Sequence, residues 1–293
     1  MATETHSHHE VDHHEGHETD QNLWDGSKSP FKVSYGKLMM WYFLVSDAFT
    51  FAGFLIAYGT LRFSMPSWPL PDVVFSTFPG GFHHAPLIFV TLMTFILILS
   101  SVTMVRAVQE GHRENKRGVV KWMALTIVGG LMFLGCQAWE WTNLIAKEHM
   151  TITINPFGTH VTDGVYLNED GTEAKNEKGE VDKFTSGHTY LIHKKDGDFH
   201  KRKFKITSGS LKGQVAQESF GPKAFGGLFF FITGFHGFHV FSGVVFLSVI
   251  MLNSMSGLYA KRKNGYEMVE KIGLYWNFVD LVWVFVFLVF YKK

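Results

Sequence analysis

Apolar residues run along this chain in five long blocks rather than in the short alternations of a soluble core. The blocks are Leu38–Leu61, Pro86–Val105, Trp122–Ile145, Ala224–Leu252 and Ile272–Tyr291, each of twenty residues or more. At about 1.5 Å of helical rise per residue, each is long enough to cross a hydrocarbon layer of about 30 Å. Nearly all charge falls outside them, in residues 1–37, 106–121, 147–223 and 261–271. The pattern predicts an all-α membrane protein, a bundle of five transmembrane helices with a small β-rich insertion outside the membrane.

The fourth block, Ala224–Leu252, is expected at the centre of the bundle. No charged residue lies between Lys223 and Lys261, yet Thr233, Gly234, His236, Gly237, His239, Ser242 and Gly243 cluster in its middle. Only protein neighbours can satisfy imidazoles at that depth, and Gly234, Gly237 and Gly243 would let a second helix approach closely.

Four regions follow from the pattern: a tail (1–37), three helices (38–146), the insertion (147–223) and two further helices (224–293). The tail holds six of the sixteen histidines, mixed with acids, and offers nothing to bury, so it reads as a disordered, solvated segment. In the insertion, Thr189–His193 and Phe199–Ile206 flank Asp196-Gly197 and predict a hairpin, and Met150–Ile154 alternates Thr with apolar residues. Lysines and arginines concentrate before the first helix, in the second connection and in the fourth. By the positive-inside tendency, the N-terminus is expected in the cytoplasm and the insertion and C-terminus outside.

Composition narrows the chemistry. A net charge of +1 with no basic patch excludes an electrostatic nucleic-acid binder. The single cysteine, Cys136, lies in an apolar block and builds neither a disulfide framework nor a multi-cysteine metal centre. Nothing at the N-terminus reads as a cleavable signal peptide.

Three carboxylates interrupt the blocks, Asp47, Glu140 and Asp280, and no Lys or Arg shares the blocks with them. An acid at membrane depth costs a few kcal/mol on insertion scales, so each is expected to face the bundle interior or water. His236 and His239 are candidate partners. Asp47 is a candidate proton carrier, as is Asp280. His236-x-x-His239 also admits a metal-binding reading, since positions three apart share a helix face, but a site needs further ligands. A haem or copper centre normally recruits more His, Cys or Met than these blocks contain, so no redox centre and no metal site is expected in the chain itself.

With helices and acids in place, Gly234–Leu247, GFHGFHVFSGVVFL, resembles the signature of subunit III of the haem–copper oxidases. Further blocks match in order: Ser46-Asp47; Ser100-Ser101-Val102-Thr103; Glu110-Gly111-His112-Arg113; Gln137 with Glu140; and Tyr275-Trp276-Asn277-Phe278-Val279-Asp280, continuing Leu281-Val282-Trp283. Asp47 stands where the family carries a buried, carbodiimide-reactive glutamate, one methylene longer. Asn277 replaces a family histidine, and Arg106 stands where members often carry one.

The resemblance implies a five-helix form lacking the first two helices of the seven-helix members. It implies a non-catalytic subunit of a proton-pumping cytochrome c oxidase in the aerobic respiratory chain, in the bacterial cytoplasmic membrane. Haem and copper would sit in partner subunits; this chain would pack on subunit I and other oxidase subunits, within a respiratory supercomplex where one forms, and bind phospholipid. Asp47 would support proton uptake, while Gln137, Glu140, His236, His239 and Asp280 would hold the bundle together. Competing readings are the equivalent subunit of a quinol oxidase or nitric oxide reductase, a stand-alone proton-coupled transporter, and a membrane metalloenzyme built on His236 and His239.

Overall fold

The structure, a computed structural model, describes residues 33–76, 87–176, 179–195, 197–261 and 265–291. Five long helices dominate: α1 (Tyr35–Ser64), α3 (Ile88–His112), α4 (Lys116–Thr142), α5 (Lys223–Met255) and α7 (Glu267–Tyr291). Each is long and apolar enough to cross a membrane. Most begin or end a turn beyond the apolar blocks, because flanking polar residues still complete backbone hydrogen bonds at a helix end. A π-helical turn, Asn143–Lys147, extends α4, while α2 (Pro71–Val74) and α6 (Leu258–Lys261) are short connections. The N-terminal tail lies almost wholly outside the described residues.

Helix α7 is the packing centre, touching α1, α3 and α5, while α4 fills the space beside α3 and α5. Helix α1 buries only Leu44, Asp47, Phe51 and Tyr58. Those positions are three, four and seven residues apart and form one narrow stripe. The rest of α1 presents exposed apolar side chains such as Phe43, Phe49 and Ile56, as expected beside lipid or a membrane partner.

The inner faces are marked by polar residues. Trp276 Nε1–H of α7 donates to Ser100 Oγ (3.0 Å), and Ser100 Oγ donates to the Thr126 carbonyl of α4 (3.2 Å). Trp283 Nε1–H donates to Thr94 Oγ1 (3.0 Å), and Thr103 and Thr126 share a hydroxyl contact of 2.8 Å. Such bonds form because hydrocarbon supplies no alternative partner. The Trp276 ring lies between two glycines: a Cβ on Gly130 would stand 2.6 Å from it and one on Gly243 3.0 Å. A side chain at Gly130 would therefore collide with the largest residue in the core.

The insertion holds a four-stranded antiparallel sheet in the order β3-β2-β7-β8 (Lys183–Phe184, Gly164–Leu167, Lys203–Ile206, Val215–Gln217). A separate pair joins β1 (Phe157–Thr159) to β4 (Thr189–Leu191), and β5 (Lys194–Lys195) pairs with β6 (Asp198–Phe199). The expected hairpin therefore closes only at its tip. Its two long arms part company, β4 to β1 and β7 between β2 and β8, and Tyr190 and Phe204 are both buried there. Met150–Ile154 forms no strand, because Met150 is buried beneath the membrane end of the insertion and Thr151 bonds within a local turn.

Asn155 ties the segments entering and leaving the insertion. Its Nδ2–H donates to the Pro222 carbonyl (3.0 Å), and its own carbonyl accepts from Gly221 N–H (2.9 Å). Leu70 N–H donates to Thr189 Oγ1 (2.9 Å), so the first connection docks on the insertion and both lie on one side of the bundle.

The core of the insertion is Tyr166, Phe184, Phe204 and Ile206, with His160 stacked on Phe184 at 3.5 Å between ring centroids. His160 Nε2 lies 2.8 Å from the Tyr166 hydroxyl, and the Arg202 guanidinium sits over the Tyr166 ring while bonding Glu218 at 3.0 Å. Burial, helped by the neighbouring His188 and Arg202, pushes the His160 imidazole down from 6.5 to about 4. Between those values the unfolded insertion takes up a proton that the folded one refuses, so stability falls as pH drops below the ordinary histidine range and the loss levels off near the folded value. Amide hydrogen exchange should accordingly give lower protection factors across 157–217 at pH 5 than at pH 7. In His160→Phe that pH difference should shrink; an undiminished difference would assign it to another group.

Candidate functional site

Asp47 and His239 meet where α1 crosses α5. Asp47 Oδ1 lies 3.3 Å from His239 Nε2, and each residue is 8% exposed. His239 Nδ1 is 2.8 Å from the Phe235 carbonyl. A carbonyl can only accept, so Nδ1 carries the hydrogen, and Nε2 is left to exchange a proton with the carboxyl. Whichever side holds that proton, acid with imidazole or carboxylate with imidazolium, the pair is neutral overall. Membrane burial is tolerable in either state, and a proton can shift between the partners without exposing a net charge to hydrocarbon.

The sequence builds the pair from ordinary helix geometry. Asp47 belongs to the one buried stripe of α1, and Phe51, one turn on, lays its ring against the His239 ring at 5.6 Å. From α7, Tyr275 O–H donates to the His239 carbonyl (3.0 Å) and lies 2.9 Å from Ser242 Oγ. Three helices therefore meet at His239, α1 and α5 at its ring and α7 at its backbone carbonyl, and Asp47 Oδ2 is buried with no hydrogen-bond partner among the described residues.

The pair forms the floor of a cavity of about 980 Å³ between α1, α5 and α7. Its walls include Met39, Phe43, Phe238, Phe246 and Ile250, and Lys271 lies at its rim. The rim is pinned by Lys37 Nζ to Glu270 (2.6 Å), Lys271 Nζ to Glu267 (3.2 Å) and a Ser34–Glu267 hydrogen bond. Asp47 lies ten residues beyond Lys37, about 15 Å along the helix. A long apolar volume with a charged rim and a polar floor suits a flexible amphipathic molecule.

The remaining polar candidates are distributed rather than gathered. His236 is fully buried, its Nε2 3.1 Å from the Val279 carbonyl, and its ring is packed among Phe51, Phe133 and Trp283. It does not reach Asp47. Glu140 lies toward the insertion side, where Gln137 Nε2–H donates to it at 3.0 Å and the Tyr291 O–H reaches its two oxygens at 3.3 and 3.4 Å. Asp280 turns to the opposite face of α7, beside Ser101 and Asn277, away from both histidines. The expectation that acids and imidazoles satisfy one another thus holds for a single pair. Helix rotation explains why: Asp280 lies one residue from Val279, whose carbonyl meets His236, and adjacent residues on a helix point about 100° apart.

A Cβ on Gly234 would stand 2.9 Å from Trp141 and one on Gly243 3.0 Å from Trp276, so both glycines admit a neighbour. A Cβ on Gly237 meets nothing within 4 Å, so among the described residues this glycine packs on no other helix of its chain. Tyr275 and Tyr291 are neighbours of His239 and Glu140 that periodicity alone did not reveal. Their signal was a hydroxyl-bearing residue inside an otherwise apolar block.

These features define a multi-pass α-helical membrane protein with a buried acid–imidazole pair and an extramembrane insertion. A family model described as cytochrome c oxidase subunit III matches residues 210–293. The chain is 25% identical over 251 residues to cytochrome c oxidase subunit 3 of a Synechocystis species, covering 85% of this chain and 72% of that protein. It is 25% identical over 262 residues to cytochrome c oxidase subunit 3 of Corynebacterium diphtheriae, covering 89% and 88%. It is also 24% identical over 261 residues to the cytochrome bo(3) ubiquinol oxidase subunit 3 of Pseudomonas putida, covering 87% and 84%. The chain is thus similar to third subunits of respiratory oxidases over most of its length, and the family model matches its last two long helices.

The two glycines make opposite predictions for the isolated, solubilised chain. Gly243→Leu should lower its thermal stability by about 1–3 kcal/mol, through overpacking against Trp276. Gly237→Leu should leave it nearly unchanged. Equal losses in the two variants would refute the assigned packing.

Proposed function

We propose that this chain is the non-catalytic third subunit of a proton-pumping haem–copper terminal oxidase in the aerobic respiratory chain, and that Asp47 supports proton uptake by that complex. The observation that carries the reading is the Asp47–His239 pair on the floor of an apolar cavity. It can store one exchangeable proton at membrane depth without a net charge, at a histidine where three helices meet. The cavity is the proposed site of a bound phospholipid, whose acyl chains would pass Phe43, Phe238 and Phe246 and whose headgroup would sit at Lys271. Lipid there would keep bulk water off the pair while leaving a narrow approach from the rim.

Haem and copper belong, on this reading, to partner subunits. His236 points to a backbone carbonyl and His239 to Asp47, so the two imidazoles do not converge as metal ligands do. The proposed location is the bacterial cytoplasmic membrane, with the N-terminus in the cytoplasm and the insertion and C-terminus outside; the lysine and arginine bias of the short connections supports this. The same geometry serves the equivalent subunit of a quinol oxidase, a reading favoured by the similarity to quinol oxidase third subunits of Pseudomonas putida and Bacillus spizizenii.

The test is Asp47→Ala in the assembled complex, purified through this chain. Haem and copper should co-purify, the proton uptake rate should fall severalfold, and the enzyme should inactivate after fewer turnovers, whereas His239→Gln should give a milder form of the same defect. Unchanged oxygen consumption, proton stoichiometry and lifetime in Asp47→Ala would remove the proton-linked role. A colourless preparation lacking haem would instead favour a stand-alone transporter.

A further inference from the structure

Asp280 occupies an unusual place for an intramembrane acid. It is 6% exposed and lies thirteen residues into α7, near the middle of the helix, yet the surface it lines is not the bundle interior. It sits in a shallow groove of about 480 Å³ between α3 and α7, bordered by Ile98, Val102, Val105, Leu281 and Phe285. Val102, Val105, Leu281 and Phe285 are each more than half exposed, so the groove opens outward, toward whatever surrounds the bundle.

Within the chain the acid is poorly served. Its Oδ1 is buried without a hydrogen-bond partner among the described residues. The nearby Ser101 hydroxyl is shared between Asp280 and Asn277, donating to Asn277 Oδ1 at 2.6 Å. Among the described residues no Lys, Arg or His lines the groove. Asp47 contrasts sharply with this, since His239 meets it inside the bundle. A lipid acyl chain has no donor to offer, and an acid left unanswered at that depth costs several kcal/mol. An apolar face with one unanswered acceptor at its centre is complementary to an apolar helix carrying one donor at the matching depth.

We propose that the α3/α7 face is the docking surface for a transmembrane helix of another oxidase subunit, and that a hydrogen-bond-donating side chain on that helix meets Asp280. Val102 and Leu281 flank the acid as the apolar rim of the contact, excluding lipid from the polar centre in the way that near-neutral contacts surround a binding hot spot. Ser101 and Asn277, bonded to one another, line the same groove beside the carboxyl. The proposal rests on membership of an oxidase complex and specifies which face of the chain that complex covers.

The experiment uses the intact complex. A photoreactive benzoylphenylalanine replaces Val102 or Leu281 in turn, and Val128 on the exposed side of α4 serves as the control. After irradiation, the expected adduct at Val102 and Leu281 is a membrane-spanning peptide of a different subunit, with an Arg, Lys, His, Trp or hydroxyl residue within one helical turn of the attachment point. Val128 should not yield that peptide. Asp280→Leu should cut the yield of that adduct, and the amount of this chain retained in the complex, by about tenfold or more, the factor expected from losing one hydrogen bond to a charged group. Asp280→Asn, which keeps an acceptor, should retain most of both. Leu281→Trp leaves Asp280 in place and alters only an exposed rim residue, and it should also reduce retention. Adducts to lipid alone, adducts to a second copy of this chain, or full retention of Asp280→Leu would each overturn the proposal. If haem-bearing subunits co-purify and cross-link at Val128 but not at Val102 or Leu281, the docking face is wrong while the family function stands; if none co-purifies, the functional reading itself fails.

Discussion

Hydrocarbon offers no hydrogen bonds, and that single deficiency organises this molecule. Every helix is apolar on nearly all sides, so burial of greasy surface cannot by itself choose which side faces in. The choice is made by the few groups that need a partner. Trp276 and Trp283 of α7 reach hydroxyls of α3, Tyr275 reaches the backbone of α5, and Thr126 of α4 meets Thr103. Glycine completes the arrangement where a large ring must lie against a helix, as Trp276 does between Gly130 and Gly243. Aliphatic residues, having no such requirement, are left to face lipid or a neighbouring chain.

Three acids meet the same constraint in three ways. Asp47 is matched by a histidine 3.3 Å away. Glu140 is held by neutral donors, Gln137 and Tyr291, near the insertion side, where it joins the end of α4 to the end of α7. Asp280 lies in an outward groove with a shared hydroxyl for company. The roles proposed for them follow from those surroundings: exchange of a proton, closure of the bundle, and recognition of a partner. Identical side-chain chemistry therefore yields distinct roles according to which helix face carries it.

The insertion answers to water instead of lipid, and its construction differs accordingly. It has its own aromatic centre around His160, it pairs the buried Glu218 with the half-exposed Arg202 at its edge, and it is fastened to the bundle by Asn155 and by the Leu70–Thr189 bond. These fastenings fix the ends of α4 and α5 and the connection after α1 together on one side. The α1–α5 crossing that brings Asp47 to His239 is thus braced from outside the membrane as well as within it.

Much of this could be read from the order of residues. Lengths and apolarity of the five blocks established the spans, since a helix of fixed rise needs a fixed number of residues to cross a layer of fixed thickness. Isolated acids and histidines identified the polar centre for the same reason that they are rare there. Pairing was not legible. Nothing in the spacing says that His239 rather than His236 meets Asp47, that Asp280 faces away from both, that Gly237 packs on none of its own helices, or that the arms of the Asp196-Gly197 turn separate to join different strands. Periodicity reports the properties of one helix or strand at a time. Which faces meet depends on rotations and crossings among several elements at once, and these are set only when large rings, glycine gaps and unsatisfied donors are fitted together in three dimensions.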